Sequence, residues 1–228
     1  MTSAFDQRAR FQLAHLGEAM GDASRAAMLI ALMGGLSLPA SELARHAGIS
    51  ASTATSHLRR LVEARLLVVR PQGRHRYFAL SGPDVAEALE HLATLGLGGR
   101  RRAASNDALS MARTCFSHLA GRIAVAFWTR AVQAGWVAWT EPSVRLLPVG
   151  ATVLARSGLA AEGWEGTTGA TCLDLSERVP HVSGRLGVIL CAELVARGWV
   201  KRMQGTRALR VTTRGQAGFR SLGVTWEE

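Results

Sequence analysis

Residues 36–80, LSLPASELARHAGISASTATSHLRRLVEARLLVVRPQGRHRYFAL, leave few folds open. Two helical patterns meet at Ala47-Gly48-Ile49-Ser50. There Gly48 can take the left-handed conformation that ends one helix, and Ser50 can cap the next through its hydroxyl. In the second helix Ala54, Leu58, Leu61 and Val62 share one side and are expected to pack inward. Ser52, Thr53, Ser56 and Arg60 lie opposite, with Arg59 at the edge and His57 on the same helix. Leu66 to Arg70 and His75 to Leu80 carry strand patterning across the turn Pro71-Gln72-Gly73-Arg74. Two helices at a tight turn followed by a two-stranded wing are the layout of a winged helix that reads DNA. Between Arg59 and Arg76 stand six arginines and one acid, Glu63. The expected DNA contacts are therefore Ser52, Thr53, Ser56, His57, Arg59 and Arg60 on the helix and Arg74, His75 and Arg76 on the wing. Hydroxyls reach base edges and the cations reach phosphate.

The ordered segments GDASRAAMLIALMGG, PASELARHAGIS, STATSHLRRLVEARLL and GRHRYFAL resemble the arsenic-repressor (ArsR/SmtB) family of bacterial regulators over about residues 8–96. The resemblance implies a homodimeric repressor whose first and fifth helices form the dimer interface. It also implies an inverted-repeat operator in double-stranded DNA, released when an inducer binds. Two familiar sensor sites of the family are missing. The stretch matching the Cys-rich motif is Leu38 to Leu43 and has no thiol, and Asp84, Glu87 and His91 depart from the family's Asp-x-His spacing. A sensor is therefore expected elsewhere in the chain.

At 228 residues the chain suits two modest domains. The expected fold class is mainly α with small β (α+β). A winged helix-turn-helix DNA-binding and dimerisation domain covers 1–96, and a linker covers 97–104 and includes Arg100, Arg101 and Arg102. A duplicated effector domain covers 105–228. The net charge of +10 fits a polyanionic partner, but it divides evenly, with 14 basic and 9 acidic residues up to Arg113 and 13 and 8 after it. The local arginine cluster is thus the stronger indication. No run of about 18 uncharged apolar residues exists, so no membrane span is expected. MTSAFDQRARFQ lacks a signal-peptide core, which makes the cytoplasm the expected location. In that reducing compartment Cys115, Cys172 and Cys191 are expected as thiols.

The second half repeats itself. HLAGRIAVAFWTRAVQAGWV from His118 aligns without gaps to HVSGRLGVILCAELVARGWV from His181, with eight of 20 positions identical. After a two-residue shift Arg145, Gly150 and Gly158 match Arg210, Gly215 and Gly223. Two degenerate α-β-β-α repeats, about 114–159 and 171–224, are expected around a pseudo-two-fold axis. Trp164, in the loop between them, is expected to anchor that loop.

Each repeat opens with a Cys and then a His: Cys115 and His118, Cys172 and His181. Cys115-x-x-His118 can present sulfur and imidazole on one face of a starting helix. If the axis joins the two openings, two thiolates and two imidazoles converge into a site for zinc or a thiophilic metal or metalloid ion. Asp174 and Glu177 are the carboxylates placed to orient a histidine. Other readings remain at this stage. Cys115 and Cys172 can form a reversible disulfide, or Trp128, Trp136, Trp139 and Trp199 can wall an organic ligand, or the repeats can be purely architectural. Cys191 reads as core. A Cys/His enzyme is the distant alternative, because no oxyanion-hole motif, phosphate loop or cofactor fingerprint is present, so the chain is expected not to be an enzyme.

Overall fold

The structure is a computed structural model that describes residues 4–96, 108–159, 161–204 and 206–226. The chain folds as two compact units, Met1–Ala86 and Glu87–Glu228. The first contains α1 (Ala4–Met20), α2 (Ala23–Leu32), β1 (Leu38–Pro39), α3 (Ala40–Ala47), α4 (Ala51–Glu63), β2 (Leu67–Gln72) and β3 (His75–Leu80). Asp22 caps α2 by accepting from the Arg25 N–H at 3.0 Å. Gly48, at φ 65° and ψ 32°, ends α3, and the Ser50 hydroxyl accepts from the Thr53 N–H at 3.2 Å to start α4. Ala54, Leu58 and Leu61 are buried with Met28, Leu29, Leu32 and Leu43, while Val62 is half-buried.

The wing is longer than its sequence suggests. β2 runs through Pro71 to Gln72, and the pair Gln72↔His75 leaves Gly73-Arg74 as a two-residue loop. Pro71 is tolerated because the strand order β1-β3-β2 puts β2 at the sheet edge, where a missing N–H costs no ladder bond.

The division between units falls within α5 (Pro83–Gly96), ahead of the boundary expected at residue 96. Glu90, on the later part of this helix, is buried and pairs with Arg207 at 2.7 Å inside the second unit. The expected linker, 97–104, lies outside the described residues.

In the second unit α6 (Ala108–Met111) precedes β4 (Arg113–Cys115), β5 (His118–Ala120), α7 (Arg122–Gln133), β6 (Val137–Thr140), β7 (Ser143–Leu146) and α8 (Pro148–Arg156). Then come β8 (Thr168–Leu173), β9 (Pro180–Ser183), α9 (Gly184–Ala196), β10 (Val200–Arg202), β11 (Leu209–Val211) and α10 (Thr213–Ser221). The expected α-β-β-α order is present in both copies, but each copy begins with a further hairpin, β4-β5 or β8-β9. Cys115 and His118 therefore stand on strands, not on a starting helix. Three-residue strands that are buried at every position, as β4 and β5 are, have no alternating pattern to betray them.

The copies interlock. Hairpin β8-β9 of the second extends hairpin β6-β7 of the first into a four-stranded sheet, with Ser143 opposite Ala170. Under the repeat alignment the counterpart of that pair is Arg113 with Ala208, and these two residues form a β-bridge. The symmetry extends to close packing. The Trp136 carbonyl accepts from the Leu147 N–H at 2.9 Å and the Trp199 carbonyl from the Thr212 N–H at 3.0 Å. A Cβ on Gly150 or on its counterpart Gly215 would run into the matching tryptophan carbonyl. The tryptophans are core. Phe127 meets Trp128, Trp136 and Phe219 edge-on, and Trp199 meets Phe219 the same way. Trp139 and Trp164 pack against this cluster. Cys191 is also in the cluster, and burial pushes its thiol up to about 11.

Candidate functional site

Register builds the Cys/His cluster. In β4-β5 Cys115 lies directly opposite His118, and in β8-β9 Cys172 lies directly opposite His181. Opposed residues of an antiparallel pair project to the same face, so each hairpin offers one sulfur and one imidazole side by side. The first hairpin turns tightly, with Phe116 at φ 54°. The second has nine residues from Cys to His, and Asp174 takes up the excess. Its Oδ1 accepts from the N–H groups of Ser176 at 2.9 Å and Glu177 at 3.0 Å and from the Ser176 hydroxyl at 2.9 Å. The loop is folded back, and the register of the two copies is the same.

The two openings meet. The sulfurs of Cys115 and Cys172 are 4.0 Å apart, and the Nε2 atoms of His118 and His181 are 3.0 Å apart. The four ligand atoms all lie within 4.8 Å of one another. Exposure is 2% for Cys115, 1% for Cys172, 7% for His118 and 1% for His181. Hydrogen bonding with Cys172 and burial push the Cys115 thiol well above its usual range, against the pull of both histidines.

Asp174 sits behind the cluster and ties the repeats together. Its Oδ1 accepts from Arg113 Nη2 at 2.9 Å, and its Oδ2 accepts from the Gly121 N–H at 2.6 Å, at the start of α7. Burial disfavours its charge, but Arg113, His181 and the N–H groups of Glu177 and Gly121 overcome that and hold the carboxyl below its usual range. The same Oδ2 lies 3.8 Å from Nδ1 of His181, which is buried without a hydrogen-bond partner. An N–H there aims the Nε2 lone pair at the other ligands. Glu177, the second expected carboxylate, contributes its backbone N–H to Asp174. Arg113 and Gly121 were not anticipated. Gly121 has φ 91° and leaves no room for a Cβ beside the carbonyls of Ser110 and Met111. A glycine at this position in both copies was the signal available.

On the first unit Ser52, Thr53, Ser56, Arg59 and Arg60 are exposed along α4, and Arg74, His75 and Arg76 are exposed on the wing. His57 differs from its neighbours on α4. It is half-buried, with Nδ1 3.1 Å from Arg25 Nη1 and Nε2 3.8 Å from Asp22, so it is tied to the start of α2 and drawn off the exposed face. Asp84, Glu87 and His91 on α5 stand exposed. No helix among the described residues is long and apolar enough to cross a membrane.

A helix-turn-helix domain family matches residues 20–70. The chain is similar to the uncharacterized HTH-type transcriptional regulator YdfF of Bacillus subtilis, 34% identical over 214 residues, which cover 91% of this chain and 95% of that one. It is also similar to the HTH-type transcriptional regulator CmtR of Mycobacterium tuberculosis, 35% identical over 106 residues, 43% of this chain and 89% of that one. The solution structure of CmtR, described as a cadmium metal-sensor, aligns with a TM-score of 0.32 and 31% identity over 41% of this chain and 99% of that one. A homodimeric winged helix-turn-helix domain from Mycobacterium bovis, described as a possible ArsR-family regulator, aligns with a TM-score of 0.40 and 20% identity over 46% of this chain and 98% of that one. With a helix-turn-helix and wing built as described and a transcriptional regulator similar along nearly its whole length, this chain is a DNA-binding regulator rather than an enzyme and belongs to the ArsR/SmtB family of winged helix-turn-helix transcriptional regulators.

Proposed function

We propose that this chain is a homodimeric repressor that occupies an inverted-repeat operator and releases it when Cys115, His118, Cys172 and His181 hold a thiophilic metal ion. The observation that carries the reading is the convergence of four buried ligand atoms within 4.8 Å, from two repeats, in a chain whose other unit is a winged helix. Ser52, Thr53 and Ser56 read base edges, while Arg59, Arg60, Arg74, His75 and Arg76 fix the protein on phosphate. Phe11 and Leu13 on α1 and Leu92 and Leu95 on α5 are exposed apolar side chains. They lie on the two helices that the family resemblance assigns to the dimer, and a second copy would cover them. Two recognition helices related by a two-fold axis read half-sites about 10 base pairs apart. The work is cytoplasmic.

A chain of contacts inside the second unit supports communication with α5. The Thr114 N–H, next to Cys115, donates to the Arg207 carbonyl at 2.9 Å. The Arg207 guanidinium donates in turn to Glu90 on α5 at 2.7 Å. Ion binding shifts DNA affinity only if the bound and released states hold the ion unequally. A thiol-oxidation switch is the second reading, favoured by the 4.0 Å between sulfurs. It ranks lower because a disulfide uses the two sulfurs alone and gives no role to His118 and His181, whose Nε2 atoms converge on the same place at 3.0 Å.

The test is binding of the full chain to its own promoter by fluorescence anisotropy at about 150 mM salt, under reductant. Wild type prefers the promoter over random duplex and loses affinity when zinc or cadmium is added. Cys115→Ser and Cys172→Ser keep the promoter preference and lose the response. Equal affinity for random duplex sinks the operator reading. Unchanged affinity with metal, together with release by oxidant, transfers the sensor to the disulfide.

A further inference from the structure

Resting on the metal reading of the Cys/His cluster, we infer that the site takes a tetrahedral dication of the zinc–cadmium class and refuses arsenite. Shape is the first argument. Bonds of about 2.3 Å to sulfur and about 2.0–2.1 Å to imidazole nitrogen put the edges of a tetrahedron at about 3.8 Å between sulfurs and about 3.3 Å between nitrogens. The sulfurs here are 4.0 Å apart and the nitrogens 3.0 Å. The sulfur edge needs a few tenths of an ångström to close and the nitrogen edge a few tenths to open, while the four atoms, now spread over up to 4.8 Å, draw in along the sulfur-to-nitrogen edges as the ion is taken up. The donors are already in place before any ion arrives, and the backbone register on both hairpins holds them there.

Donor count is the second argument. Arsenic(III) is a trigonal-pyramidal centre that takes three sulfurs and has little use for imidazole. The cluster offers two sulfurs and two ring nitrogens. The remaining thiol, Cys191, belongs to the large apolar core, apart from the small cluster that Cys115 and Cys172 form with Ala120. Two sulfurs with two nitrogens in a tetrahedral arrangement are the donor set of zinc and its heavier congener.

Charge is the third. The cluster is sealed, and an uncompensated charge inside it would meet a low dielectric. Asp174 and Arg113 are 0% and 3% exposed in their side chains and cancel each other. Two thiolates and two neutral imidazoles therefore leave a charge of minus two for the ion to balance, and a dication balances it. Asp174, 3.8 Å behind the unpartnered Nδ1 of His181, is placed to take that ring's N–H as its Nε2 becomes a ligand.

The experiment uses the full chain under reductant, freed of metal by chelator dialysis, and titrates zinc, cadmium and arsenite separately against a chromophoric chelator. Zinc and cadmium are each expected to bind once per chain, and a tenfold excess of arsenite is expected to leave bound zinc in place. Cobalt(II), added to wild type, is expected to give the intense visible bands of a tetrahedral site together with a sulfur-to-metal charge-transfer band, so the donor set is read without any variant. Cys115→Ser and His181→Gln are each expected to weaken zinc at least a hundredfold, with circular dichroism checking that they fold. Displacement of zinc by arsenite, or a weak octahedral cobalt spectrum, overturns the ion class while leaving a metal site standing. Failure of all four ions to bind wild type removes the metal reading itself.

Discussion

Arg59 with Glu63 in the first unit and Arg113 with Asp174 in the second are the same chemical pair in opposite surroundings. Arg59 and Glu63 stand 3.7 Å apart on one face of α4, with side chains 74% and 62% exposed. Arg113 and Asp174 meet at 2.9 Å with side chains 3% and 0% exposed. The contrast runs through both units. The first keeps the cations and hydroxyls of α4 and the wing at the surface, where a polyanion from outside can replace their water and counterions. The second turns an arginine, an aspartate, two histidines and two cysteines inward, where they must be satisfied by one another or by a small guest. One unit offers its polar groups to a partner outside, and the other gathers them in its interior.

Breaking the inner pair has the largest expected effect. Asp174→Asn keeps the shape but deprives the buried Arg113 guanidinium of the carboxylate it is bonded to, beside an Nε that already lacks a partner. Loss of one member of a buried pair typically costs about 3–5 kcal/mol. The substitution also weakens the ties of Gly121 and the 174–179 loop. Urea unfolding followed by tryptophan fluorescence reads this directly, since Trp128, Trp136 and Trp199 all report on the second unit. A loss under about 1 kcal/mol would mean that the loop re-forms without the carboxylate and that the two pairs differ less than their burial suggests.

Acid should separate the units next. Each of the two thiols must give up its proton to ligate, and the Cys115 proton is held more tightly than usual. Affinity for zinc or cadmium therefore rises with pH and falls as acid returns the protons. The fall approaches about a hundredfold per pH unit if both leave together. Promoter affinity of the metal-free chain requires no thiol to give up its proton, so it should change far less between pH 8 and pH 6. Parallel titrations of metal and of DNA check the difference, and identical slopes would break it.

The uneven legibility of the two units has the same physical root. In the first unit Gly48, Ser50, the α4 stripe and the Gly73 turn each act locally, so sequence order alone locates them. His57 escaped because its partners, Asp22 and Arg25, come from a different helix. In the second unit the repeat was visible and so were Cys115, His118, Cys172 and His181, because duplication preserved them. The hairpins that carry them were not visible. Their register depends on Asp174 gathering a loop and on strands from one copy pairing with the other. Arg113 was unremarkable as a letter and becomes decisive only once Asp174, distant in sequence, lies against it.

Arg60→Ala probes the outer surface with a moderate effect. Arg60 is exposed at the C-terminal half of α4, where loss of one phosphate contact weakens binding about uniformly across sequences. It also lowers the salt slope by about one counterion. Stability should be unchanged. Affinity measured across a salt series checks this, and an unchanged slope would remove Arg60 from the phosphate contacts.

The smallest effect belongs to the outer pair, and it is the direct counterpart of the first prediction. Glu63→Gln deletes the carboxylate facing Arg59, yet both side chains are largely in water and 3.7 Å apart. An exposed helical pair of this spacing contributes about 0.3–0.5 kcal/mol. Unfolding should therefore shift by less than about 0.5 kcal/mol. Promoter affinity should rise slightly, because Glu63 is the one acid among six arginines between Arg59 and Arg76 and repels phosphate. A substitution that costs stability while improving DNA binding is the signature of a surface kept for a partner. Should Glu63→Gln instead cost as much as Asp174→Asn, or weaken the promoter complex, the Arg59–Glu63 pair would be structural and the division between an outward and an inward unit would fail at α4.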